Sequence, residues 1–205
     1  MPAIEQSVPA RSLDTSTIWN VPNQLTMARL ILSIVLFALI ATGHFFYGTI
    51  CFCVAAGTDW MDGYYARKYG QVTVLGRILD PFVDKVIICG AFTMLCAVPL
   101  SGIDSWMAVV VLGRELLVTT LRSFLEGEGR DFSAKWSGKF KMVFQCAAVI
   151  WSLVALQYYY PELSEIPAWI ARGLPVAVWL AIVSTVYSGV VYIFAAMRIH
   201  AERKA

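Results

Sequence analysis

Charged residues are scarce in this 205-residue chain: Asp, Glu, Lys and Arg make up 15% of it, against about a quarter in soluble domains. Histidine occurs twice, and the five cysteines lie in apolar runs, outside the Cys and His spacings of zinc sites or secreted disulfide scaffolds. The first 20 residues lack the basic and then apolar pattern of a cleavable signal peptide. The net charge of +2 is too small to indicate a nucleic acid as partner. These shortages argue against an ordinary soluble domain, a zinc module and a disulfide scaffold.

Hydrophobic residues, by contrast, make up 59% of the chain, and the mean hydropathy is +0.66. A bilayer core of about 30 Å needs roughly 20 mostly apolar residues per helix, and the chain has six runs of that size. They predict an all-α integral membrane protein with six transmembrane helices, at residues 26–46, 48–67, 75–98, 106–124, 140–157 and 174–197. We expect residues 1–25 to form an arm with a short interfacial helix, 26–197 to form the six-helix domain and 198–205 to form a tail.

The basic residues predict the orientation of these helices. All but one of the 16 Lys and Arg lie in the N-terminal arm, the second and fourth connectors, the adjoining helix ends and the C-terminal tail. The exception is Arg172. By the positive-inside rule, both termini face the cytoplasm, in a multi-pass protein of the cytoplasmic membrane.

Four aspartates flank the connector between the second and third runs. Asp59 and Asp62 are three residues apart and Asp80 and Asp84 are four apart, so each pair shares a helix face. An ionised Asp in a membrane helix costs about 2.5–3.5 kcal/mol, and two divalent cations match the four charges most simply. Oxygen ligands without Cys or His favour Mg²⁺ or Mn²⁺. The alternative, ion pairing to Lys and Arg alone, explains neither the use of Asp without Glu nor the small residues nearby.

Those small residues are Gly63, Ala66 and Gly76, whose missing bulk would let a ligand approach closely. Arg67 lies beside them and could bind a phosphate group. The segment therefore predicts a pocket for a flat or phosphorylated group.

The spacing D-x-x-D-G-x-x-A-R, eight residues, then G-x-x-x-D-x-x-x-D resembles the signature of the CDP-alcohol phosphatidyltransferase family, which consists of membrane enzymes with six transmembrane helices. All eight signature positions agree: Asp59, Asp62, Gly63, Ala66, Arg67, Gly76, Asp80 and Asp84. The resemblance implies that the four aspartates hold two divalent cations, which bind the diphosphate of a CDP-linked donor, and that Asp84 is also the general base. It further implies a CDP site lined by Asp62, Gly63, Ala66, Arg67 and Gly76, together with Asn23 and Thr26.

A second basic group predicts where the acceptor binds. Arg114 lies between the apolar segments 109–112 and 116–119, and Arg122 follows eight residues later on roughly the same helix face. Such a cationic stripe suits a phosphorylated acceptor.

The segments 20–29, 113–122 and 135–145 resemble one branch of the family, which transfers the phosphatidyl group from CDP-diacylglycerol to sn-glycerol 3-phosphate. Met142 departs from that branch, where Thr is usual. The resemblance implies that Arg114, Lys135 and Lys139 contact glycerol phosphate, and Arg122 is a further candidate. It also implies a homodimer.

Two alternatives remain open at this point. The acceptor could be inositol or inositol phosphate in the same family, or the chain could be a divalent-cation transporter, since membrane aspartates also line ion pathways. A transporter predicts acidic residues that continue toward the outer face, and the outer halves of the six runs contain none. An enzyme with a lipid donor instead predicts a gap between helices near Asp59 and Asp80.

Overall fold

The computed structural model describes residues 21–69, 74–127, 136–160 and 166–202, which form six α-helices and no strand. The helices are α1 (Val21–Ala41), α2 (Phe45–Tyr69), α3 (Val74–Leu95), α4 (Ser105–Gly127), α5 (Trp136–Tyr159) and α6 (Ala168–Glu202). The predicted all-α fold with six helices is thus confirmed for this part of the chain.

Two helix starts differ from the sequence-based expectation. Residues 21–25, expected in a separate interfacial helix, form the first turns of the continuous helix α1, and the rest of that predicted helix lies outside the described residues. Helix α6 begins at Ala168 rather than at Leu174. It starts there because the carbonyl oxygen of Pro167 accepts hydrogen bonds from the N–H groups of Ile170 and Ala171, at 2.8 and 3.2 Å.

Three of the described helical stretches are both long and apolar enough to cross a membrane: Asn23–Ala41, Phe140–Tyr159 and Ala168–Met197. Helices α2, α3 and α4 have 25, 22 and 23 residues, and at about 1.5 Å per residue they are also long enough to span the bilayer core. Each of these three helices, however, contains several charged residues, which lowers its hydropathy. The chain is a multi-pass membrane protein, while six crossings remain a prediction.

The exposed surface agrees with a lipid environment. Large aliphatic side chains such as Ile34, Val109, Val143 and Val183 are each more than half exposed. Apolar surface of this kind along several helices is expected where lipid tails, and not water, surround the protein.

The helices pack with α1 between α2 and α3, with α5 against α6 and α2, and with α4 against α6 and α3. Phe52, Phe92 and Leu153 are fully buried in the shared core. The close approach of α1 and α3 depends on Gly90, because a Cβ atom there would overlap the ring of Phe37. These two helices run in the same direction, so their N-terminal halves also lie side by side.

Contacts near the helix ends and the connectors show which ends of the helices lie together. The rings of Phe45 and Tyr160 are 5.6 Å apart between centroids, and Gln157 Nε2 donates to Thr49 Oγ1 at 2.8 Å. The α1–α2 turn and the end of α5 therefore occupy one end of the bundle. Ser152 Oγ donates to the carbonyl oxygen of Ser101 in the α3–α4 connector at 2.7 Å, so this connector packs on α5 as well. The charged residues of α2, α3 and α4 are concentrated away from this end.

Candidate active site

Asp84 lies in the N-terminal half of α3 and faces α1. Arg29 Nη1 donates to Asp84 Oδ1 at 2.8 Å, and the two side chains are 2% and 29% exposed. A guanidinium buried this deeply in a membrane bundle requires a partner of opposite charge. Helix α1 therefore fixes one oxygen of Asp84, while the side chain stays partly open.

The polar residues of α1 form one stripe that ends at this ion pair. Asn23, Thr26, Arg29 and Ser33 recur at three- or four-residue spacing and are all buried, at 4%, 1%, 2% and 0% exposure. Asn23 and Thr26, which the family resemblance assigned to the CDP site, thus share the helix face that carries Arg29 to Asp84. Arg29 was missed as a site residue, although a single arginine inside an apolar run was a signal for it.

The other three aspartates also lie on described helices, Asp59 and Asp62 in α2 and Asp80 in α3. Asp59 and Asp62 are therefore on one face of α2, and Asp80 and Asp84 are on one face of α3, as their spacing predicts. Their side chains fall outside those that the structure describes, as do the side chains of Arg67 and the small residues of the signature. Among the described side chains, no three His, Cys, Asp or Glu come together as a metal site. The donor set still fits Mg²⁺ or Mn²⁺, because these helix turns offer four carboxylates and neither thiol nor imidazole.

A cavity of about 160 Å³ lies between α3, α4 and α5 and includes Asp84 in its wall. Residues of all three helices line it: Pro81, Asp84, Lys85, Ile88, Glu115, Lys141, Met142 and Gln145. The general-base candidate and a group of charged side chains therefore border the same space.

Glu115 is the centre of this charged group. Its Oε1 accepts a hydrogen bond from Arg114 Nη1 at 3.0 Å and forms an ion pair with Lys141 Nζ. Glu115 and Lys141 are each 7% exposed. One buried carboxylate thus joins cations from α4 and α5.

Arg114 extends from this pair toward α6. Its Nη2 donates to Ser188 Oγ at 2.6 Å, and its Cζ lies 5.5 Å from the ring centroid of Tyr192. Gly189 leaves room for the side chain, since a Cβ atom there would lie 3.3 Å from Arg114 Cγ. Arg122 Nη2 donates to the Tyr192 hydroxyl at 3.3 Å.

Of the four predicted acceptor residues, Arg114 and Arg122 are therefore brought together on Tyr192, and neither lines the cavity. Lys135 lies outside the described residues, and Lys139 lies in α5 with a side chain that is not described. Glu115, Lys141 and Gln145 were not predicted as site residues. Charged residues inside apolar spans were the signal that could have identified the first two.

An all-helical membrane bundle with an aspartate motif, and with a buried group of charged side chains beside a cavity, is the arrangement expected of a membrane-embedded enzyme that acts on phosphate-containing substrates. The sequence profile of one family, CDP-alcohol phosphatidyltransferase, matches residues 19–187. The chain belongs to the CDP-alcohol phosphatidyltransferase family, as the aspartate spacing predicted.

Relatives in two bacteria carry one name, CDP-diacylglycerol–glycerol-3-phosphate 3-phosphatidyltransferase. The protein of Bacillus subtilis (strain 168) is 36% identical over 187 residues, which cover 83% of this chain and 92% of that protein. The protein of Escherichia coli (strain K12) is 34% identical over 140 residues, covering 66% of this chain and 77% of that protein. The similarity thus includes most of the helical bundle.

Proposed function

We propose that the chain transfers the phosphatidyl group from CDP-diacylglycerol to sn-glycerol 3-phosphate, which yields phosphatidylglycerol phosphate and CMP. The observation that carries this proposal is the cavity in which Asp84 and the cationic Lys141 form different walls. An acceptor that offers a hydroxyl at one end and a phosphate at the other matches these two walls. The names of the relatives support the same reaction, which belongs to phospholipid biosynthesis.

In this reaction, an oxygen of the acceptor's hydroxyl group forms a bond to the phosphatidyl phosphorus as the bond from that phosphorus to CMP breaks. The carboxylate of Asp84 accepts the hydroxyl proton, and Arg29 holds that carboxylate in place. Asp59, Asp62, Asp80 and Asp84 would hold two Mg²⁺ or Mn²⁺ ions, whose chemistry is to stabilise negative charge on the phosphoryl oxygens and on departing CMP.

The remaining predicted residues have binding roles in this proposal. Gly63, Ala66, Arg67 and Gly76 line the CDP site with Asp62, and Asn23 and Thr26 complete it from α1. Arg114, Lys135, Lys139 and Arg122 supply positive charge for the acceptor. The donor is a lipid, so the site opens to the cytoplasmic leaflet of the cell membrane, and the active molecule is a homodimer.

The experiment that tests this function uses purified protein in detergent with CDP-diacylglycerol and one acceptor at a time. We expect release of CMP and formation of phosphatidylglycerol phosphate with glycerol 3-phosphate, abolished by a chelator and restored by Mg²⁺ or Mn²⁺. Faster turnover with inositol or inositol phosphate would overturn the acceptor. Metal flux into proteoliposomes without any CMP release would instead favour the transporter.

A further inference from the structure

Two lysines, Lys85 and Lys141, line the cavity beside Asp84, whereas the arginines of the basic stripe do not. Lys85 is the sequence neighbour of Asp84 on α3, while Lys141 stands on α5 and is only 7% exposed. Burying a lysine in a membrane bundle is costly. Its position on the wall of a cavity that also contains Asp84 therefore calls for a functional explanation.

The charged side chains that line the cavity belong to ion pairs that extend beyond it. Among the described side chains, the Glu115 carboxylate stands between two cations, Arg114 and Lys141, and Asp84 is matched by Arg29. Lys85 adds a further positive charge to the wall. Lys141 and Lys85 thus bring two ammonium groups to the wall, and an ammonium group is a suitable donor to a phosphate oxygen.

Arg114 and Lys141 share one carboxylate oxygen but are directed to different places. Arg114 is held on α6 by Ser188 and the ring of Tyr192. Lys141 is the partner that faces the cavity, and the Glu115 carboxylate limits where its ammonium group can lie. Glu115 thereby acts as a positioning residue.

The size of the cavity restricts what can bind there. Its volume of about 160 Å³ is below the roughly 300–1,000 Å³ of pockets for drug-sized ligands. Gln145 forms part of the wall, and its Nε2 donates to Thr185 Oγ1 at 2.9 Å, which fixes the orientation of the amide. The space therefore suits a small polyol phosphate and excludes a diacylglycerol chain.

We propose that Lys141 binds the phosphate group of the acceptor and that Glu115 positions Lys141 for this contact. The inference rests on the proposed function and deepens it, because it assigns the phosphate contact to a residue that the family signature does not name. With its phosphate at Lys141 on α5, the acceptor can direct a hydroxyl toward Asp84 on α3.

The test is the substitution Lys141→Met, which keeps an unbranched side chain, one atom shorter, and removes its charge. We expect the KM for glycerol 3-phosphate to rise by about tenfold or more, since a charge-assisted phosphate contact is lost. The KM for CDP-diacylglycerol should stay within about twofold of the wild-type value. Inorganic phosphate, used as a competitive inhibitor against glycerol 3-phosphate, should weaken in parallel.

A double variant separates phosphate binding from a structural role of the ion pair. Lys141→Met with Glu115→Gln removes both charges of the pair, and the amide oxygen introduced at position 115 can still accept the hydrogen bond from Arg114 Nη1. If Lys141 contacts phosphate, the double variant keeps the raised KM and the weak phosphate inhibition. It also decides the question if the single variant cannot be purified. Arg172→Met, an exposed basic residue of α6 at the opposite end, serves as the charge-matched control.

Three results would overturn the inference. They are an unchanged KM for glycerol 3-phosphate in Lys141→Met, recovery of that KM in the double variant, and an effect confined to CDP-diacylglycerol. Wild-type protein that makes no phosphatidylglycerol phosphate would refute the proposed function itself, so the two failures are distinguishable.

Discussion

Asp84 is the residue on which the proposed chemistry depends most directly. Asp84→Asn removes the negative charge and the basic oxygen but keeps an oxygen that can accept the hydrogen bond from Arg29. We expect CMP release to fall by roughly 10²–10⁴-fold, the usual contribution of a positioned general base, with the loss of a metal ligand adding to it. Because the buried Arg29 then lacks its matching charge, the unfolding temperature in detergent should fall, while the fold is retained at the assay temperature. Turnover close to the wild-type rate in this variant would refute both roles of Asp84.

Arg29 positions the proposed base Asp84, so a substitution of Arg29 should also lower the rate of the reaction. Arg29→Met removes the ion pair that holds the Asp84 carboxylate on α1, and stability should fall by less than the about 3–5 kcal/mol of a fully buried pair, because Asp84 is 29% exposed. We expect kcat to fall by about tenfold or more with a small change in the KM of glycerol 3-phosphate, because Arg29 does not line the cavity. Arg29→Lys should recover part of kcat.

The control for this prediction is Ser33→Ala, one turn further along the same stripe, where a buried hydroxyl donates only to the carbonyl oxygen of Arg29. Its kcat should stay close to the wild-type value. A rise in KM with unchanged kcat in Arg29→Met would instead indicate that Arg29 contacts the substrate.

Single residues also show how far the sequence could predict the site. The aspartates were identified because spacing alone places them on shared helix faces. Lys141 was missed because the family resemblance named Lys139, two residues earlier, as the acceptor contact. Residues two positions apart do not share a helix face, and only the packing of α3, α4 and α5 shows that Lys141 faces Asp84 across a cavity.

At the level of elements, the contact of α1 with α3 positions the base, and Gly90 permits that contact. Gly90→Ala would drive a methyl group into the ring of Phe37 and push the two helices apart, which costs about 1–3 kcal/mol for overpacking. We expect a lower unfolding temperature and a lower kcat, since Arg29 would move away from Asp84. Circular dichroism melting in detergent and CMP release measure the two effects.

The chain offers a matched control and a rescue for this substitution. At Gly57 in α2 an added Cβ would meet no atom within 4 Å, so Gly57→Ala should leave stability unchanged or raise it slightly. Phe37→Leu removes the obstructing ring and should restore kcat in the Gly90→Ala background. Failure of this rescue would show that the helix contact at Gly90 does not position Arg29.

The helices themselves could be predicted from six apolar runs, whereas their ends could not. The start of α6 depends on hydrogen bonds to Pro167, and hydropathy contains no information about such bonds. The contact of α4 with α6 could not be predicted either, because Tyr192 is distant in sequence from Arg114 and Arg122 and meets them only in the folded bundle.

Across the whole molecule, the few charged residues of the bundle are concentrated toward one end. Among the described side chains, the buried ion pairs lie in the half that contains Asp84, Glu115 and Lys141. The other end holds the Phe45–Tyr160 ring contact and the α3–α4 connector packed on α5. An enzyme that draws its polar acceptor from one side of the membrane needs polar groups only in the half that faces that side. The same distribution explains why α2, α3 and α4, which each contain four charged residues, are not among the three candidate membrane spans.

The concentration of charged residues at one end of the bundle predicts that this end faces the cytoplasm. In a variant without the five native cysteines, Asp104→Cys places a thiol in the exposed α3–α4 connector, and Arg203→Cys places one in the C-terminal tail. Because basic residues are retained on the cytoplasmic side, a membrane-impermeant maleimide added to intact cells should label residue 104 only. Residue 203 should react only after the membrane is permeabilised. The opposite pattern would place Asp84 and Lys141 on the outer side, away from the cytoplasmic supply of glycerol 3-phosphate, and would contradict both the orientation and the proposed reaction.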